Sequence, residues 1–322
     1  MRAIIVSRNG GPEVLESSSV DLPACGEDEL LVKVAAAGVN FIDIYQREGL
    51  YALPLPYIPG LEGAGVVEEV GARVDGFAPG DHVAWTGHLG SYAEHIALPV
   101  NAAVPVPDGL DLEKAGGIML QGLTAHYLVT SVYAIKPGDT ALVHAAAGGV
   151  GLLLCQMITA RGGEVIGTVS SDAKAAAAQR AGARHVIRYD QEDFLAQVTE
   201  ITRARGVQVV YDGVGQATFE KSLRSLAPRG MMALFGQSSG PVESFDPQIL
   251  NQLGSLVLTR PSLSHFTHTR EELRWRASEV LGALASGALE FTLHGTYSLE
   301  DVADAHRALA GRASSGKLLL IP

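Results

Sequence analysis

The chain has 322 residues, and 24 basic against 35 acidic side chains leave a formal charge of −11, which excludes the basic footprint a nucleic-acid partner requires. At 47 % apolar and only 18 % charged residues it has neither the low hydrophobicity nor the charge density of a disordered chain, and its length exceeds the roughly 250 to 300 residues that one core supports, so two domains are expected. Two cysteines, Cys25 and Cys155, exclude a disulfide framework and a four-cysteine zinc site and point to a reducing compartment.

The opening apolar run, residues 1–6, soon meets Arg8 and then Asn9, Gly10, Gly11 and Pro12, too short a stretch for a signal peptide, so a cytoplasmic protein is expected. The next 120 or so residues read as short strands punctuated by turns, an all-β pattern, with strands at 30–35, 65–70, 81–85 and 92–98. Residues 54–60 carry three prolines and read as an ordered loop. The uncharged stretch 140–160 is nearly long enough to span a bilayer. Gly148 and Gly149 interrupt it, so a strand, a glycine turn and a buried helix are predicted instead, and no membrane partner.

From Thr140 the rhythm becomes strand, helix, strand. Strands are predicted at 140–146, 164–169, 185–189, 207–212, 231–235 and 255–259. Helices are predicted between them at 150–161, 172–181, 192–203, 218–226 and 247–253. Six strands with crossovers make a doubly wound parallel sheet, whose ligands lie at the carboxyl ends of the strands. Helices at 270–286 and 299–310 and a strand at 317–321 follow. This tail is too short for a domain and is expected to rejoin the first, giving domains at 1–123, 124–262 and 263–322.

The strongest chemical signal is residues 142–151, a strand running into a glycine turn and then a helix. It matches GxGxxG with Ala146 in place of the first glycine. Gly148 would let backbone approach a pyrophosphate, the amides around Ala147, Gly149 and Val150 would bind it, and Gly151 would permit close helix packing. The pattern alone also fits a plain tight turn; its place between strand and helix in a six-strand rhythm favours a dinucleotide. An NAD site places a carboxylate about 20 residues further on to hold the ribose 2′-hydroxyl. Ser170 and Ser171 occupy that neighbourhood, with Lys174 close behind and Tyr189 ending the third strand, a set that suits the 2′-phosphate of NADPH. Asp172 reads either as the N-cap of the following helix, which is favoured, or, with one slip in register, as the ribose acid.

The segments 37–43, 59–65, 211–215, 235–240 and 260–262, with the glycine turn and Gln156, carry a resemblance that runs from end to end. The chain resembles the zinc-free medium-chain dehydrogenases/reductases of the zeta-crystallin-like NADPH:quinone oxidoreductase family. The resemblance implies an α/β protein in which a GroES-like β-rich catalytic domain is interrupted by a Rossmann domain with a six-stranded parallel sheet. Zinc-dependent relatives take a cysteine near position 40 and a histidine just before Glu62; Asn40 and Leu61 stand there, so no metal is expected. Without a Lewis acid, alcohol oxidation is disfavoured. A quinone is electrophilic enough to accept hydride when held against the nicotinamide.

By the same resemblance Asn40, Asp43 and Tyr45 face the nicotinamide. Asn40 and Tyr45 are the catalytic candidates, Tyr45 as a proton donor or else as a packing tyrosine between the domains. Thr124, Val214, Phe235, Gly236, Gln237, Ser238 and Lys317 are implied as cofactor contacts, with a plain surface lysine as the other reading of Lys317. Glu62 reads as a structural carboxylate, His144 and Cys155 as core residues, and His265 with His268 as poor evidence for metal. The expected function is NADPH-dependent quinone reduction in an interdomain cleft. Its alternatives are reduction of an α,β-unsaturated aldehyde or ketone, and a non-catalytic NADPH-binding structural role. In the family the sixth strand pairs across a two-fold axis, and the apolar edge 255–260 implies a homodimer.

Overall fold

The structure, a computed structural model, describes residues 1–311 and 314–322. The chain divides into a split unit, Met1–Leu123 with Thr267–Pro322, and a continuous unit, Thr124–Phe266.

In the split unit β1 (Arg2–Val6) pairs antiparallel with β2 (Leu15–Ser19). The main sheet is built on β3 (Glu29–Val39), which runs past the expected 30–35 because its end, rich in poor strand formers, is held by neighbours: Ala36 and Ala37 pair with β4, and Ala37, Gly38 and Val39 with the C-terminal strand. After α1 (Phe41–Arg47) come β4 (Glu62–Val70), β5 (His82–Thr86), β6 (His95–Pro99), β7 (Val104–Pro105) and α2 (Leu112–Tyr127). The two helices correct the all-β reading. Seven residues are too few to display a helical period, and α2 is interrupted by Gly116, Gly117 and Gly122. Gly116 has a packing reason: a Cβ there would meet the carbonyl oxygen of Ala36 at 2.7 Å, so the bare backbone lets α2 lie on β3 and β4.

The continuous unit contains β8 (Thr140–Val143), α3 (Gly149–Ala160), β9 (Glu164–Val169), α4 (Asp172–Arg180), β10 (His185–Arg188), α5 (Phe194–Ile201), β11 (Val207–Asp212), α6 (Phe219–Arg224), β12 (Leu226–Leu234), α7 (Gln248–Gln252), β13 (Val257–Thr259) and α8 (Leu263–Phe266). Its strands form one parallel sheet in the order β10-β9-β8-β11-β12-β13. The order reverses beside β8, the topological switch point at which open α/β sheets bind ligands. β12 starts five residues ahead of expectation, because Pro228 and the left-handed Arg229 (φ 63°) make 226–230 read as a turn while the register shift opposite absorbs the kink.

The tail supplies α9 (Arg270–Ala285), β14 (Leu293–Ser298), α10 (Val302–Ala310) and β15 (Lys317–Ile321) to the split unit. β15 lies between β14 and β3 inside the sheet. Among the described residues no helix is long and apolar enough to cross a membrane.

Candidate active site

At the carboxyl edge of the continuous unit's sheet, the residues predicted from the glycine turn fall on adjacent loops. Ala147, Gly148, Gly149 and Val150 join β8 to α3, and Gly148 is an N-cap with no side chain bonded to the first-turn amides. Those N–H groups lack intrahelical acceptors by construction, and with the helix dipole they form an anion site. The turn is closed by Gly151, where a Cβ would meet the Ala145 oxygen at 2.3 Å. The residues therefore fit a diphosphate.

Ser170, Ser171 and Lys174 follow β9. Ser171, not Asp172, is the N-cap of α4: its Oγ accepts the Lys174 N–H at 3.3 Å. Lys174 Nζ donates to Ser170 Oγ at 3.5 Å. Asp172 is therefore not the cap; its exposed carboxylate accepts from Arg188, a residue that reads in the sequence as one more strand position. Tyr189, next in the chain, is exposed.

Val214 and the Phe235–Ser238 segment follow β11 and β12 and are tied together. Ser238 N–H donates to Gly213 O at 3.2 Å, Ser239 Oγ to Val214 O at 2.8 Å, and the bare Gly213 makes room for the Phe235 ring. Asp212 anchors this loop from below. One oxygen accepts the N–H groups of Val214 and Gly215, and the other accepts Thr218 and Ser222 hydroxyls. Ser222 reaches buried His144, which also bonds Thr168, so His144 is satisfied within the core as expected. Thr124 is buried on α2.

In the split unit, α1 and β15 bring Asn40, Asp43 and Lys317 together. Glu62, fully buried, accepts the Asn40 Nδ2 at 2.7 Å and the Lys317 ammonium on Oε1, and the Leu120 N–H at 2.6 Å on Oε2. Lys317 also donates to Asn40 Oδ1 at 2.8 Å and is 1 % exposed. It is thus not a surface lysine; burial pushes its pKa down while Glu62 opposes that shift. Tyr45 is half-buried on α1, its ring 6.2 Å from Phe41 and edge-on to Tyr51 at 5.4 Å.

Asp43 also departs from expectation: its carboxylate faces inward. Oδ2 accepts the Asn40 N–H at 2.8 Å, which fixes the start of α1, and the Tyr92 hydroxyl at 2.8 Å. Behind Tyr92 stands His306, whose Nδ1 accepts Arg47 NH1 at 3.0 Å. Nε2 therefore carries the hydrogen toward the Tyr92 oxygen, 3.3 Å away, and a directed chain runs Arg47, His306, Tyr92, Asp43. Tyr92, Arg47 and His306 had no signal in the sequence, since contacts spanning 214 and 259 residues leave no local pattern.

Burial raises the Asp43 pKa to about 7, and burial with the nearby Arg47 lowers that of His306 to about 3. Against unfolded values of 3.8 and 6.5, folding moves a proton from the imidazole to the carboxyl. Between about pH 4 and 6.5 the two linkages oppose: Asp43 weakens the fold as pH rises, and His306 strengthens it. Asp43→Asn removes only the first. Its stability relative to the parent should climb by up to about 1.4 kcal/mol per pH unit from pH 4 to 7, read by urea unfolding at several pH values. A difference that stays flat over that range would refute the assignment.

The chain matches the family described as zinc-binding dehydrogenase over residues 149–280 and the alcohol dehydrogenase GroES-like domain over residues 26–108. It is 45 % identical to a quinone oxidoreductase of Pseudomonas aeruginosa across 97 % of both chains. The chain belongs to the quinone oxidoreductase family of medium-chain dehydrogenases/reductases. The solved Escherichia coli quinone oxidoreductase complexed with NADPH superposes on this family member with a TM-score of 0.98, at 43 % identity and complete coverage of both chains. A 2-haloacrylate reductase of Burkholderia sp is 38 % identical, over 99 % of this chain and 98 % of its own. Membership confirms the GroES-like and Rossmann fold and makes the chain an oxidoreductase. Zinc does not fit the residues at Asn40 and Glu62. Leu61 offers only carbon, and the amide and carboxylate beside it already hold an ammonium, which a second cation would have to expel.

Proposed function

We propose that the chain reduces a quinone with NADPH, by hydride transfer that needs no metal. The reading is carried by one observation: the end of β9 presents Ser170, Ser171 and Lys174 where a ribose-binding carboxylate would serve NADH, next to the uncapped amides of α3. Bound NADPH supplies the hydride. The amides at 148–150 hold its diphosphate, the hydroxyls and Lys174 take the 2′-phosphate, and the stitched loops at 213–215 and 235–240 support the nicotinamide end. Asn40, held by Glu62 and Lys317, offers a fixed amide, and Tyr45 a phenolic proton for the reduced oxygen. An acceptor that needs no Lewis acid suits this set, because Leu61 and the Asn40 and Glu62 side chains engaged by Lys317 do not fit zinc.

A second reading, reduction of an α,β-unsaturated carbonyl with protonation by Tyr45 or water, is supported by the likeness to the 2-haloacrylate reductase. Among the described residues the short edge strand β13 pairs only with β12, and its Val257 is 44 % exposed, which supports a homodimer joined at that edge; the two unpaired cysteines support a reducing, cytoplasmic setting. One experiment addresses these points. Protein resolved by sedimentation is assayed with NADPH and 1,4-benzoquinone, 9,10-phenanthrenequinone or an alkenal. Turnover of the quinones with the higher kcat/KM, in a dimeric fraction, is expected. A higher kcat/KM for the alkenal favours the second reading, and tight NADPH binding with no turnover favours a non-catalytic role.

A further inference from the structure

We propose that Arg188 selects the cofactor, binding the 2′-phosphate directly and cancelling the charge of Asp172, which would otherwise repel it; this rests on the NADPH reading above. Arg188 ends β10 and pairs in register with Val169, the last residue of β9, so it stands one strand away from Ser170 and Ser171 at the carboxyl edge. Its Nε and NH2 donate to the two oxygens of Asp190, each at 2.8 Å, a bidentate pair that fixes the plane of the guanidinium. NH1 remains, and it donates to Asp172.

The two partners differ in kind. Asp190 is half-covered, its side chain 37 % exposed, whereas that of Asp172 is 98 % exposed and shares no described bond except the one to Arg188. An arriving anion therefore exchanges with Asp172 and leaves the Asp190 clamp intact. Asp172 directly follows Ser171, whose hydroxyl accepts the Lys174 N–H, and Lys174 Nζ touches Ser170. Hydroxyls, an ammonium and, through its bond to Asp172, one guanidinium edge are thus gathered on the segment 170–174. A carboxylate at 172 without its arginine would be the arrangement that prefers a ribose diol and rejects phosphate. Arg188 converts that position from an NAD feature into part of an NADP pocket.

The test is binding of NADPH, NADH, 2′-AMP and 5′-AMP to Arg188→Ala, Asp172→Ala and the double variant, with thermal melts to verify folding. Arg188→Ala should weaken NADPH and 2′-AMP by about 10- to 100-fold, the scale of a hydrogen bond to a charged group, and leave 5′-AMP within about twofold. Adding Asp172→Ala should recover part of that loss, the repulsion, and not the rest, the direct contact. Full recovery would overturn the contact with phosphate, and an unchanged NADPH to NADH ratio in Arg188→Ala would overturn the whole proposal. Arg188→Lys, which keeps charge without the bidentate fork, provides the same reading if the alanine variant fails to fold. A parent protein that binds 5′-AMP as well as 2′-AMP would instead refute the NADPH reading itself.

Discussion

Lys317→Met should destabilise the protein by about 3 to 5 kcal/mol in urea unfolding, a large part of the 5 to 15 kcal/mol typical of a folded domain. The reason is the carboxylate left behind. Glu62 is completely buried, and with the ammonium gone the donors left to its charge among the described residues are the Asn40 amide and the Leu120 N–H. Gly38 shows how closely the pair is housed, since a Cβ there would lie 2.0 Å from Glu62 Oε1 and 2.6 Å from Lys317 Cε. Removing the second charge as well, in Glu62→Gln with Lys317→Met, should restore most of the loss, because a buried pair replaced as a whole is often neutral. A single variant that loses less than about 1 kcal/mol would refute the dependence of the buried carboxylate on this ammonium.

The second large effect concerns the glycine turn, where two neighbouring positions should respond differently. In Gly151→Ala the new methyl meets Ala145 O at 2.3 Å and Ala146 Cα at 2.8 Å, both backbone, so α3 must lift away from the end of β8. Overpacking of this kind costs about 1 to 3 kcal/mol, and NADPH affinity should fall at least about tenfold as the amides lose their aim. In Gly148→Ala the closest atom is Ala145 O at 3.2 Å and φ is −76°, which alanine tolerates. Stability should therefore hold while affinity still falls, the methyl occupying the space a diphosphate needs. Equal stability losses in the two variants, measured beside NADPH titrations, would contradict this division of roles.

These two cases mark what the sequence reveals. The glycine turn is local: strand, turn and helix occupy ten consecutive residues, and each position has a steric reason that can be read in place. β9 and β11 fall on their expected bounds because apolar runs flanked by turns leave no choice. The buried pair is not local. Asn40 and Leu61 were legible, through the family resemblance, as replacements for metal ligands and Glu62 as a structural carboxylate, but the role of Lys317 depends on β15 entering the sheet beside β3, which no spacing announces. The same holds for the chain from Arg47 to Asp43, and for Arg188, whose meaning comes from the neighbouring strand. α1 and α2 were hidden for another reason, their short length and glycines, whose purpose is packing rather than propensity.

The placement of β15 also orders events during synthesis. Lys317 reaches Glu62 across 255 residues and Asn40 across 277. It leaves the ribosome after every strand of the parallel sheet, whose residues form one continuous stretch and can complete their own core first. Until then β3 lacks one neighbour and Glu62 lacks its counterion, so the split unit stays unfinished while the insert folds. Closing over a long insertion is thermodynamically mild, since each doubling of a loop adds only about 0.6 kcal/mol. The split unit is thus latched late, by a lysine that carries both the missing strand and the missing charge.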